Sequence, residues 1–207
     1  MICLLFLSCF FATNAQENES EWGKPKEDMR TTRTFSGIPQ GRFYYLYPIH
    51  FGDQQFAKAY DVSFGYGINL SPLRYKNFRL NLGFERTLYK VVDHSRVAEP
   101  VDISTYQSFF TEVSYGLGSE AKFCVKPSVG IGFSNFYLKT GSGRFGSQEA
   151  VDFRSGLTAD WAVLNHLSLF LTAHYVRSNI DVDTAGEFRE YYSKANSVQL
   201  GLGIVIR

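Results

Sequence analysis

From Ser197 to Arg207 the chain reads Ser-Val-Gln-Leu-Gly-Leu-Gly-Ile-Val-Ile-Arg. Val198, Leu200, Leu202, Ile204 and Ile206 share one face of an extended strand, and Gln199, Gly201 and Gly203 share the other. A strand with one oily face needs a cover for that face and partners for both edges. With no later segment in this sequence to supply them, both are expected from earlier ones.

Earlier segments repeat the same period of two. Phe43, Tyr45, Tyr47, Ile49 and Phe51 alternate in a first candidate strand, and Tyr60, Val62, Phe64, Tyr66, Ile68 and Leu70 in a second. Phe78, Leu80, Leu82 and Phe84 mark a third, and a fourth begins near Ile103 and carries Phe109, Val113, Tyr115 and Leu117. The fifth holds Phe123, Val125, Val129, Ile131, Phe133 and Tyr137, and the sixth Val151, Phe153, Leu157, Ala159 and Trp161. Leu167, Leu169, Leu171, Ala173 and Tyr175 form the seventh, and the terminal stretch is the eighth. An even count lets an antiparallel meander close with both ends on one side.

The connections alternate in length. Gly52–Lys58, Asp93–Asp102, Thr140–Ala150 and Ser178–Ala195 fall on one side and read as loops. Ser71–Asn77, Gly118–Ala121 and Val163–His166 fall on the other and are mostly shorter, which is the layout of an outer-membrane barrel. A soluble lipocalin-like barrel would instead turn its apolar face inward.

The polar face decides between them. Gly65, Gly67, Gly83, Gly116, Gly130, Gly132, Gly156, Gly201 and Gly203 lie on it, mixed with Asp61, Arg79, Glu85, Glu112, Lys126, Asp152, Arg154 and Asp160. A water-facing surface gains nothing from glycines that weaken strands, whereas a narrow interior gains room. The expected fold is therefore all-β, an eight-stranded antiparallel up-and-down transmembrane β-barrel over residues 42–207, with lipid on its apolar face. Pro48 and Pro127 oppose this assignment, because each lacks an amide donor and a closed barrel has no free edge. Bulges or strand ends are the expected escape, and the first strand, with Pro48, is the weakest of the eight. Asn135 falls on the lipid face and is expected near the headgroups.

Residues 1–15 read as a cleaved export signal: Ile2 to Ala12 is almost continuously apolar, too short to span a bilayer as a helix, and Thr13-Asn14-Ala15 supplies a small-residue cleavage site before Gln16. No Lys or Arg precedes the apolar run, a departure from the usual signal. Residues 16–41, charged and poor in apolar side chains, read as a flexible periplasmic arm. Cys3 and Cys9 leave with the signal, so Cys124 stands alone and no disulfide framework is expected. The formal net charge of +1 argues against a nucleic-acid partner, which needs a basic surface. Aromatic content of 16%, with 19 Phe and 13 Tyr, and 18 Gly suit strands and tight turns.

Chemistry is sought among the inward charges. Asp61, Glu85, Glu112, Asp152 and Asp160 face Arg79, Lys126 and Arg154, which allows interleaved ion pairs with a modest acidic excess, and His174 joins this network as a polar member. A structural plug filling the lumen is the first reading; a gate that opens a small ion path when pairs exchange is the alternative. A second alternative is a hydrolase acting on lipid A. His174 with Ser178 and Glu187 suggests a triad, but barrel deacylases set His and Ser two apart on one face, and here the gap is four. His166-Leu167-Ser168 has the right gap at the opposite side of the membrane. Asp181-Val182-Asp183-Thr184-Ala185-Gly186-Glu187 has the opening of a calcium loop but lacks an oxygen ligand at its fifth position and a Glu at its twelfth. Phe188-Arg189-Glu190-Tyr191-Tyr192 suits a contact surface. No catalysis, metal or cofactor is expected.

The signal end Asn14-Ala15-Gln16 and the Tyr/Phe-Gly-rich strands resemble the small outer-membrane barrels of Gram-negative bacteria, within these the PorT-like barrels of Bacteroidota, over Phe43 to Arg207. The resemblance implies a barrel in the cell outer membrane, with outer-membrane lipids and other envelope proteins as partners and a structural or interaction role. It carries no functional residues.

Overall fold

The structure, a computed structural model, describes residues 39–96, 101–119, 122–140, 143–181 and 193–206. The expected signal and nearly all of the expected arm lie outside these. The strands are β1 (Gln40–His50), β2 (Tyr60–Tyr75), β3 (Phe78–Val91), β4 (Ile103–Tyr115), β5 (Leu117–Ser119), β6 (Phe123–Thr140), β7 (Gly143–Leu164), β8 (Leu167–Ile180) and β9 (Lys194–Ile206). β1 pairs with β9, and β4 with β6, so the antiparallel ladder closes on itself. After a break at Gly116, β5 continues the track of β4 along β6, which makes eight strand positions around the ring. Closure gives each of the eight ring positions a partner on both sides, with the short β5 paired to β6 alone.

The terminal strand finds the partners its sequence demanded. β9 pairs with β8 from Leu167↔Ile206 to Asn179↔Lys194 and with β1 from Gly41↔Ile206 to His50↔Ser197. β1 is thus a full member of the ring, and it starts two residues before the expected barrel boundary. Both prolines sit where a ladder is interrupted. Phe51 N–H donates to Asn196 O, so strand alternation aims the Pro48 nitrogen at β2, and the last β1–β2 pair is Tyr45↔Tyr66. Pro127 falls between the last β4–β6 pair, Ser114↔Ser128, and the first β5–β6 pair, Leu117↔Val125.

Three sequence expectations need correction. A register shift between Val62 and Phe64 switches the parity of β2, so Tyr60 and Val62 face in while Asp61 is exposed outside the lumen, where its own carboxylate accepts the Val62 N–H. Ser71 to Tyr75 continue β2, and the turn is only Lys76-Asn77, with Lys76 at φ 54°. Thr140–Ala150 is not a loop: β6 and β7 continue as a hairpin to the pair Thr140↔Gly143. Two of the other expected loops hold short helical turns, α1 (Gln55–Ala59) and a 3-10 turn at His94–Arg96.

Large apolar residues face outward all round the ring, among them Phe43, Leu70, Phe109, Phe133, Trp161, Leu171 and Leu202. The inward face is polar at its centre and aromatic toward the loops. Two glycines make that interior possible by close approach: a Cβ at Gly67 would overlap the ring of Tyr44, and one at Gly83 the ring of Phe110. Gly146, on the projecting hairpin, has nothing within 4 Å of the place a Cβ would take. Gly83→Val is expected to cost about 1–3 kcal/mol by overpacking, and Gly146→Val close to nothing. Urea titration of the folded band on a cold detergent gel measures both, and equal midpoints for the two variants would contradict this packing.

Candidate functional site in the barrel lumen

The lumen is organised in layers. At the end where β1 starts and β9 stops, Lys126 Nζ and Arg42 Nη2 both donate to Asp160 Oδ2, Arg42 at 3.2 Å, and Arg42 lies over the Phe170 ring at 5.4 Å. Asn81 links this end together, accepting from Ser71 Oγ at 2.6 Å and donating to Ser114 Oγ at 3.0 Å.

The central layer is built on Arg154. Its guanidinium donates to both Glu85 oxygens at 2.8 Å, to Glu112 Oε1 at 3.3 Å and to Gln199 Oε1 at 3.2 Å, and stacks 3.9 Å from the Phe110 centroid. The two parallel bonds to Glu85 are the fork geometry that guanidinium and carboxylate share. Tyr44 Oη donates to Glu85 at 2.8 Å, giving that carboxylate a further donor. His174 Nε2 lies 3.1 Å from Ser128 Oγ and 3.7 Å from Glu112, and its Nδ1 lies 3.1 Å from Thr172 Oγ1. A nucleophilic triad needs acid and nucleophile on opposite imidazole nitrogens. Here Ser128 and Glu112 share one nitrogen. Ser178 is buried on the same inward face, opposite Asp152, and Glu187 lies outside the described residues.

Above this, Asp152 accepts from Tyr106 Oη at 2.6 Å, Ser108 Oγ at 2.7 Å and Ser134 Oγ at 2.9 Å, so three hydroxyls satisfy a charge with no cation against it. The loop end is then closed by an apolar layer of Tyr60, Tyr89, Tyr106, Phe136, Ala150, Ile180 and Ala195. The segment bearing α1 covers it: Ala59 is buried, its carbonyl accepts the N–H groups of Val92 and Asp93, and Gln54 accepts from Asn196 N. In that exposed segment the Lys58 ammonium, 2.8 Å away, holds the Asp53 carboxyl below its usual range.

Of the nine expected network members, Arg79, Glu85, Glu112, Lys126, Asp152, Arg154, Asp160 and His174 are buried in the lumen, and Asp61 is outside it. Arg42 joins them instead. The buried acids Glu85, Glu112, Asp152 and Asp160 then equal the buried bases Arg42, Arg79, Lys126 and Arg154, so the expected acidic excess is absent. The alternation that runs through Gln40, Arg42 and Tyr44 was the signal for it, missed because the strand was started at Phe43. The asparagine, glutamine and hydroxyl partners carry no such signal.

Two small cavities lie among the described lumen residues. One cavity of about 10 Å³ lies toward the end where β1 starts, bordered by Arg42, Asn69, Asn81, Ser128 and His174. A second of about 10 Å³ lies toward the loops, bordered by His50, Tyr89, Phe136 and Ser197. Each has room for about one water molecule, and the Arg154 layer stands between them. Arg42 Nε and Asn69 Oδ1, buried without protein partners, border the first. Cys124 is buried and its thiol lies 3.9 Å from Val125 O, and the described residues hold no cluster of metal-ligating side chains. The calcium-like segment and the aromatic-Arg segment after it lie outside the described residues, apart from Asp181.

Arg154→Met leaves Glu85 and Glu112 buried with no cation against them and is expected to cost about 3–5 kcal/mol. Adding Glu85→Gln and Glu112→Gln should recover much of that loss, while Asp61→Asn should stay within about 0.5 kcal/mol of the parent. Unfolding in urea from lipid vesicles reads all three; a single Arg154→Met variant as stable as the parent would contradict the clamp.

No family model and no curated protein matches this chain. Solved structures do. Neisserial surface protein A superposes with a TM-score of 0.60 at 13% identity, over 83% of this chain and 97% of that one. Outer membrane protein AlkL, determined in DMPC lipid bilayers, superposes with a TM-score of 0.52 at 15% identity, over 92% of this chain and 96% of that one. What the chain shares with them is their fold, a closed eight-stranded antiparallel β-barrel.

Proposed function

We propose that this chain is an integral barrel of the bacterial outer membrane with a structural or protein-interaction role and no intrinsic catalysis. The observation that carries the reading is the inversion of polarity: Phe109, Phe133, Trp161 and Leu202 are 61–69% exposed on the outside, while Arg154, Lys126 and Asp152 are fully buried inside. Water would penalise such a surface, and lipid solvates it. The likeness of fold to AlkL, a protein solved in bilayers, supports the same placement. The signal end and the Tyr/Phe-Gly strands support export and the narrower PorT-like assignment.

The interior supports a plug more than a pore. Glu85, Glu112 and Asp160 are paired with cations across the barrel, and water-sized cavities lie on either side of Arg154. His174, enclosed and with Ser128 and Glu112 on one nitrogen, offers no support to lipid hydrolysis. What remains available to other molecules is the outside of the barrel and its loop end, so the partners of this reading are membrane lipids and envelope proteins.

The test is threefold. The folded protein should need detergent and migrate faster unheated than boiled. It should show no unitary conductance in planar bilayers, and overexpression should leave lipid A masses unchanged. Solubility without detergent would overturn the membrane reading, and conductance abolished by Arg154→Ala would replace the plug with a channel.

A further inference from the structure

Outward residues on β3, β4, β6 and β7 form rows that the ladders place side by side. Phe84, Phe109, Phe133 and Val151 make one row. The next toward the loop end is Arg86, Gln107, Asn135 and Glu149, where the apolar band stops. Beyond it come Leu88, Thr105 and Tyr137, then Lys90, Ile103 and Lys139. Asn135 thus sits at the band edge, between Phe133 and Tyr137 along its own strand face.

Three cations surround this corner: Arg86, Lys90 and Lys139. Their side chains form no ion pair or hydrogen bond with another described residue, and Arg86 Nε is buried without a partner. Thr105 Oγ1, in the row between Arg86 and Lys90, is buried and equally unpartnered. Carboxylates stand at both sides of the patch: Asp61 of β2 is the cross-strand neighbour of Lys90, its carboxylate turned to the Val62 N–H, and Glu149 is that of Asn135. The lumen cations Arg42, Lys126 and Arg154 are in ion pairs with this chain's own acids; Arg86, Lys90 and Lys139 are in none with a described residue.

We propose that this face holds a phosphorylated, multi-acyl glycolipid of the lipid A class, taken from the leaflet at the loop end. The inference rests on the membrane reading above. Lys90 and Lys139 stand two strands apart, roughly 10 Å, and Arg86 lies four residues below Lys90, roughly 13 Å along the strand. Two separated cationic groups suit two phosphates better than one. Gln107 and Asn135, between them, present amides of the kind that hydrogen-bond sugar hydroxyls and acyl-amide groups. The row of Phe84, Phe109, Phe133 and Val151 below spans four strands, roughly 15 Å across, a surface for several acyl chains side by side. Cations at the edge of a hydrocarbon band gain from an anionic headgroup and lose that gain when it is removed.

Native mass spectrometry of the full-length chain, folded in detergent, tests this with four probes: bis-phosphorylated lipid A, its dephosphorylated form, phosphatidylglycerol and inorganic phosphate. The parent should retain one bis-phosphorylated glycolipid and bind the other three far more weakly. Arg86→Gln, Lys90→Gln and Lys139→Gln together should weaken retention on the order of a hundredfold, from about fivefold for each cation. Equal retention by the triple variant, or equal binding of dephosphorylated lipid A or phosphatidylglycerol, overturns the proposal. If the variant does not fold, the comparison of the two lipid A forms on the parent protein decides. A parent protein that lacks heat-modifiable migration in every detergent sinks the membrane reading instead, which separates the two failures.

Discussion

Arg154 is a fully buried guanidinium between Glu85 of β3, Glu112 of β4 and Gln199 of β9, with the ring of Phe110 against its face. Removing such a charge from water is costly, and only matched partners with good geometry offset the loss. That constraint propagates. Glu85 must stand opposite β7, Phe110 must lie flat enough to stack, and Gly83 must have no side chain so that Phe110 can. Four strand positions are held in relative register by one side chain and the acids that neutralise it. Under the proposed placement in lipid the hydrophobic effect acts weakly between strands, so internal polar contacts of this kind would supply much of the specificity of closure.

The same demand explains the division of the interior. Charges with a cation opposite them occupy the centre and the end where β1 starts and β9 stops, where Asp160 takes both Lys126 and Arg42. Asp152, with no cation against it, is surrounded by three hydroxyls. Toward the loops no further charge is buried among the described residues of the aromatic layer, and Ala59 and its neighbours cover it. The outcome is an electrically balanced filling with space for isolated water molecules. Cations in no ion pair with a described residue, Arg86, Lys90 and Lys139, appear instead on the outside, at the rim of the apolar band, where the surroundings can supply a counter-charge.

Much of this was legible residue by residue. The alternation of β3, β4, β6, β7, β8 and β9 assigned inward and outward faces correctly, because a strand places consecutive side chains on opposite sides whatever its partners. It failed at Asp61, because the shift between Val62 and Phe64 inserts one residue and reverses the parity before it. It failed at Thr140–Ala150 because Gly and Ser there read as loop, while ladder bonds to β6 keep the segment extended. Pro48 and Pro127 looked like objections to the ring and are its interruptions: each falls where the neighbouring strand is not paired.

By itself the sequence determined the class of the molecule: eight stretches of period two, glycine and charge on one face, bulky apolar residues on the other, admit few architectures besides a barrel with its apolar face outward. Only the tertiary structure decided which charges meet. Arg154 and Glu85 are 69 residues apart, and Arg42 and Asp160 are 118 apart. Their encounter depends on the stagger of every ladder between them and on the bulges that adjust it. The period of a strand is a local property of its backbone; the register of a closed ring belongs to all its strands at once.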